Sequence, residues 1–187
     1  MMTKDLLDKL RLDLSIKAKN GLDFTLAAAI IWALISFIWT VNTSPYNKSI
    51  FTFMVGALLL PLAFLFSKLF KTTWTIEDNP LQPLGLWLNF SQLFYFPFLV
   101  FTMIKMPGHF IMVYAIITGG HFFPYAWFYK TRWYAIFAGI IVLGALFFGL
   151  SLPNDKTYFV GIFTSISLLL ITICLYFDSE RKLKNNN

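Results

Sequence analysis

Charge is scarce in this chain: Asp, Glu, Lys and Arg make up 13% of its 187 residues, about half the share found in an average soluble domain. So little charge cannot clothe a folded domain in water. A single cysteine, Cys174, excludes an intrachain disulfide and a cysteine metal cluster, and in its apolar setting it reads as a small space-filling side chain. Two histidines, His109 and His121, lie at different depths of one apolar run and cannot share a metal. No Asp or Glu stands near the middle of any apolar run, so carboxylate-relay transport and aspartyl intramembrane proteolysis lack their groups. There is no glycine-rich phosphate loop, no serine–histidine nucleophile motif and no His/Glu metal spacing. No residue is assigned as catalytic, and no metal or cofactor is implied.

What the chain has is apolar length. It is 58% hydrophobic and 19% aromatic, with a mean hydropathy of +0.68. Six runs, at about 22–41, 50–70, 84–104, 109–129, 133–151 and 158–177, each approach the roughly 20 residues a helix needs to cross some 30 Å of hydrocarbon. A bilayer requires every backbone group to be satisfied within the segment, so runs of this length are helices. The expected fold is an all-α integral membrane protein with six transmembrane helices, short connections and an amphipathic interfacial helix ahead of them. That leading helix covers residues 1–21, where Leu6, Leu7, Leu10 and Leu14 recur at helical spacing among alternating charges. Asn20-Gly21 ends it, and Asp23 is placed to cap the next. Residues 178–187, charged and then Asn-rich, read as a solvated, flexible tail.

The net charge of +6 is a topology signal rather than a nucleic-acid surface, because no basic face with interleaved aromatics lies outside the apolar runs. Twelve of the fifteen basic residues fall on one side: five before the first run, Lys68 and Lys71, Lys130 and Arg132, then Arg181, Lys182 and Lys184. Lys48, Lys105 and Lys156 fall on the other. By the positive-inside rule both termini are cytoplasmic. Trp39 is expected at the outer interface, and the loop of residues 71–83 reads as a solvated turn.

The third and fourth runs carry the polar side chains. At 100° per residue, Gly85, Asn89, Ser91, Gln92 and Tyr95 share one face of the third, and Tyr114, Thr118, His121, Tyr125 and Tyr129 form a narrow stripe on the fourth. Stripes of this kind avoid lipid, so the two faces are expected to meet in one layer. The candidate ligand-binding residues are Asn89, Gln92, Tyr95, Thr118, His121 and Tyr125, with Trp32 or Ser36 closing the site from the first run. Pro97 and Pro124 each free a backbone carbonyl beside these stripes.

The stretches NPLQPLGLWLNFSQLFYFPFLVF and GGHFFPYAWFYKT resemble those of a family of small bacterial multi-pass membrane proteins of unknown function. The resemblance spans roughly residues 20–180. It implies a bacterial plasma membrane and carries over no substrate, cofactor or catalytic residue. Three readings remain: a protein that binds or transports a small solute between the third and fourth helices; an accessory, sensory or assembly subunit with a membrane-protein partner; and a lipid-modifying enzyme whose acid, base or metal is not visible. The lipid bilayer is the surrounding partner in each.

Overall fold

A computed structural model describes residues 3–186, which form helices and no strands. Six helical stretches, two of them made of two helices each, are long and apolar enough to cross a membrane. A short helix, α1 (Lys4–Lys17), comes first, capped by the Thr3 hydroxyl, which accepts from the Leu6 N–H at 3.3 Å. It is followed by α2 (Leu22–Thr40), α3 (Pro45–Gly56), α4 (Leu59–Phe70), α5 (Gln82–Leu93), α6 (Phe96–Lys105), α7 (Phe110–Phe128), α8 (Trp133–Ser151) and α9 (Tyr158–Asn186).

The second and third spans are each broken in two for the same reason. Pro61 has no N–H for the carbonyl of Ala57 and crowds it, and the helix breaks between Gly56 and Leu59. Pro97 acts likewise on Leu93, and the break falls at Phe94 and Tyr95. Pro124 lies inside α7 without ending it. The residue four positions before it is Gly120, which has nothing within 4 Å of where a Cβ would stand.

The core is built from α2, α7, α8 and α9, with α4 against α2 and the α5–α6 span at the side. One close seam joins α2 to α9. A Cβ added at Gly161 would lie 2.8 Å from the Ser36 Cβ, so only glycine allows this approach. Along the seam, Ser36 donates to the Tyr158 carbonyl at 2.9 Å, Ser165 to the Ala29 carbonyl at 2.8 Å, and Thr172 to the Thr25 hydroxyl at 2.8 Å. Such bonds average about 0.6 kcal/mol each within membranes, so close packing is the larger contribution and the hydroxyls fix the register. Gly119 of α7 packs on Ile141 and Val142 of α8, and Gly149 of α8 on Met112.

The end where α1 and the end of α9 meet, here called the basic end, departs from the sequence reading in three ways. Helix α1 is tied to protein rather than resting on lipid alone. Leu14 and Ser15 are buried, Arg11 donates to the Trp127 carbonyl at 2.7 Å while its guanidinium stands 4.5 Å from the Trp127 ring, and Asn79 donates to the Leu10 carbonyl and to Asp13. The 71–83 connection is not a free turn: Ile76 and Asn79 are buried, and the Thr73 N–H bonds the Lys17 carbonyl at 3.0 Å. The C-terminal segment is helical, since α9 continues to Asn186 with Asp178 and Ser179 buried. Residues 1, 2 and 187 of these expectations lie outside the described residues. At the opposite end Trp39 is buried rather than an interface anchor, its indole donating to Thr52 at 3.1 Å.

Candidate functional site

Four helix ends converge at the basic end on one polar network, which begins at the turn out of α1. Asn20 and Gly21 both adopt left-handed backbone, φ 56° and 71°, the conformation Asn and Gly tolerate best. A side chain at Gly21 would meet the Tyr129 and Tyr134 hydroxyls at 3.2 and 3.3 Å. The turn drives the Asn20 carboxamide into the protein. Its oxygen accepts from Ser15 at 2.5 Å and from the Lys182 ammonium at 3.2 Å, its nitrogen donates to the Leu175 carbonyl and to Asp178, and its backbone carbonyl accepts from Tyr134 at 2.7 Å. Lys182 bonds Asp178 at 2.6 Å, Ser15 at 2.8 Å and the Tyr129 carbonyl at 2.9 Å.

Beside this cluster Asp23, 1% exposed, joins the connection to its own helix start, its Oδ1 accepting from the Phe24 N–H at 3.1 Å. The N-cap of α2 is Gly21, and one Asp23 oxygen accepts from both the Thr72 hydroxyl and the Trp74 indole at 2.7 Å. Asp13, at the surface, keeps its carboxyl below the usual carboxylate range. Partial burial works against this, but the hydrogen bonds from Lys17 and Asn79 outweigh it. Because the polar atoms of the Ser15–Asn20–Asp178–Lys182 cluster already bond one another, it works as a clasp between the first and last helices and leaves nothing for a substrate. Sequence reasoning missed these four residues. The available signals were Asp178 and Lys182 four apart on a helix, and an Asn-Gly step that had to be left-handed.

The stripes picked from sequence are only partly brought together. In the fourth span Thr118 and Tyr125 are buried, Tyr114 packs at a tilt against the buried Trp32 with ring centroids 5.2 Å apart, and His121 is half-buried with its ring edge-on to Tyr125 at 5.3 Å. Thr118 bonds its own helix at the Tyr114 carbonyl, 2.9 Å away, and Ser36 is committed to α9. In the third span Gly85, Leu84, Leu88 and Leu99 form the packed side. Gln92 is half-buried, whereas Asn89, Ser91 and Tyr95 are exposed on the outer side. Asn89 and Ser91 each donate to a carbonyl of their own helix, Gly85 at 3.1 Å and Leu88 at 2.7 Å. The one side-chain hydrogen bond between the third and fourth spans, among the described residues, runs from Tyr125 to the Gly85 carbonyl at 3.4 Å.

Six apolar helices around a packed core, with their large apolar side chains turned outward, define an all-helical multi-pass membrane protein. The chain belongs to a family of unknown function, DUF7010, whose model matches residues 7–178. Neither a curated protein nor a solved structure matches the chain.

Proposed function

We propose that the protein is a non-catalytic assembly subunit of a membrane complex, joined through the outer face of its third span to the same face of a second copy. The observation that carries this reading is the exposure of that span: 6% of its apolar stretch is buried, against 61% in the first span. On the exposed side stand Asn89, Ser91 and Tyr95 among Leu86, Trp87, Phe90, Leu93 and Phe94. A carboxamide facing hydrocarbon is costly, and the bond to Gly85 uses one N–H while leaving the other and the carbonyl oxygen free. An amide carries donor and acceptor together, so two copies related by a twofold axis satisfy each other. No charged residue lies between Gln82 and Lys105 to demand an opposite charge from a partner. Both termini lie on the cytoplasmic side of a bacterial plasma membrane in this reading, as the basic residues at one end of the bundle imply.

The test uses a Cys174→Ser background with single cysteines at Leu86 or Leu93, oxidised in native membranes. A disulfide-linked dimer at these positions, lost when cysteine is placed at the buried Leu99, is the expected result. Monomer throughout overturns the reading, and a crosslink to a different protein keeps the docking face while overturning self-pairing. A carboxy-terminal reporter fluorescent only in the cytoplasm checks the orientation.

A second reading, solute binding between the third and fourth spans, is favoured by His121, which is half-buried and whose imidazole makes no hydrogen bond among the described residues. With Gln92, Tyr125 and the Gly85 carbonyl it would form the polar wall. Ligand-dependent thermal stabilisation that is abolished by His121→Ala and by Gln92→Ala tests it; stabilisation unchanged in both variants removes it.

A further inference from the structure

At the basic end, on the outside of the bundle, the α7–α8 turn and α9 enclose a cleft of about 610 Å³ lined by Lys130, Thr131, Arg132, Trp133, Cys174, Phe177, Asp178 and Arg181. It lies apart from both surfaces discussed above. Three cations face it, and its one carboxylate, Asp178, is already held by Lys182 at 2.6 Å and by Arg181 at 2.9 Å. Lys130 reaches Asp8 at only 3.4 Å. Arg132, exposed, lies 5.4 Å from the Trp133 ring and is in no ion pair among the described residues.

Two further features call for an oxygen-rich anion. Helix α8 begins here with Arg132 as its N-cap residue and no side chain capping its first N–H groups, which leaves partial positive charge directed at the cleft mouth. Thr131 lines the cleft at 6% exposure, and its hydroxyl is the one buried side-chain polar atom without a partner among the described residues. The remaining wall, Trp133, Cys174 and Phe177, is apolar. Phe177 also borders a second cleft of about 290 Å³ lined by Leu22, Phe70, Thr172, Ile173 and Tyr176.

We infer that this cleft binds the phosphate of an anionic phospholipid, with Arg132, Lys130 and the α8 N-terminus around the phosphate, Thr131 bonding one of its oxygens, and an acyl chain along Trp133 and Phe177. Phosphate at a helix N-terminus flanked by arginine is a strong pairing because charge-assisted bonds and the helix dipole act on the same oxygens. The aromatic and apolar side of the cleft distinguishes a lipid from free phosphate, since inorganic phosphate has nothing to place there.

The test is native mass spectrometry of the full chain released from phosphatidylcholine nanodiscs prepared with and without phosphatidylglycerol, each repeated with added inorganic phosphate. Phosphatidylglycerol adducts should be retained over phosphatidylcholine. The Lys130→Gln/Arg132→Gln variant should lower that retention about tenfold, the weight of one charged hydrogen bond. Arg132→Gln alone, at an exposed side chain in no ion pair among the described residues, should lower it without disturbing the fold, and Lys68→Gln/Lys71→Gln, basic residues at the same end but off the cleft, should leave it unchanged. Equal retention of the two lipids, or equal losses in the cleft and off-cleft variants, overturns the inference. Phosphate displacing a lipid that shows no headgroup preference assigns the site to the free anion and overturns the lipid source.

Discussion

Replacing Lys182 with methionine tests whether the clasp holds the basic end together. The ammonium has four acceptors, on Asp178, Ser15, Asn20 and Tyr129, and the Asp178 side chain beneath it is 5% exposed. Removing one partner of a buried ion pair costs about 3–5 kcal/mol, because the other charge stays desolvated. Arg181 still reaches Asp178 at 2.9 Å, but its own side chain is 72% exposed, so its compensation is partial and the loss falls at about 3 kcal/mol. For a chain of this length each kcal/mol lowers Tm by about 2–4 °C, which gives a drop of about 6–12 °C. Thermal melting of the detergent-solubilised chain, followed by size exclusion of a fluorescent fusion, measures it. Lys182→Met/Asp178→Leu removes the stranded carboxylate as well and should recover at least half of the loss. A single variant melting within about 2 °C of the parent, or a double variant melting below the single, refutes the clasp.

Three other outcomes follow from the geometry. Gly161→Ala should destabilise by about 1–3 kcal/mol through the clash with Ser36, while Gly139→Ala, with open space at its Cβ, should be neutral or slightly stabilising in the same melting assay. Asp13 has a folded-state pKa below its ordinary 3.8, so its contribution is complete above that value and is lost as the pH falls through the lowered one. Amide exchange in α1 should therefore rise on acidification below about pH 4, and Asp13→Asn should abolish that step. Asp23→Ala leaves Thr72 and Trp74 without their acceptor, so trypsin should cut after Lys71 faster than in the parent.

The spans were legible because hydropathy and length act locally: each run alone has to satisfy its backbone and match the bilayer, and the observed boundaries of α2, α7 and α8 fall within a residue or so of the expected ones. The candidate site was less legible. Angular arithmetic groups Gly85, Asn89, Ser91, Gln92 and Tyr95 on one face, but it does not say which way that face turns, and the structure divides it between the packed side (Gly85) and the outer side (Asn89, Ser91, Tyr95). In the third span the inward side went to Gly85, Leu88 and Leu99, because Phe128 stands where any side chain larger than glycine at position 85 would crowd it. The stripe in the fourth span turned inward at Thr118 and Tyr125 because Gly119 draws α7 onto α8. The clasp escaped notice because its members lie up to 167 positions apart and were read as two separate chain ends. On the α2–α9 seam, Gly161, Ser165, Leu168, Thr172 and Leu175 recur at helical spacing, a small-and-hydroxyl pattern that marks the packed face of the sixth span.

That seam also sets the order in which the molecule can become complete. Of the six spans described, α2 is made before the other five and α9 after them, so throughout synthesis of residues 41–157 the hydroxyl of Thr25, the small face around Ala29 and Ser36, and the inward amide of Asn20 wait for a helix that does not yet exist. A chain stalled before residue 158 therefore leaves the small-and-hydroxyl face of α2 without α9 to cover it.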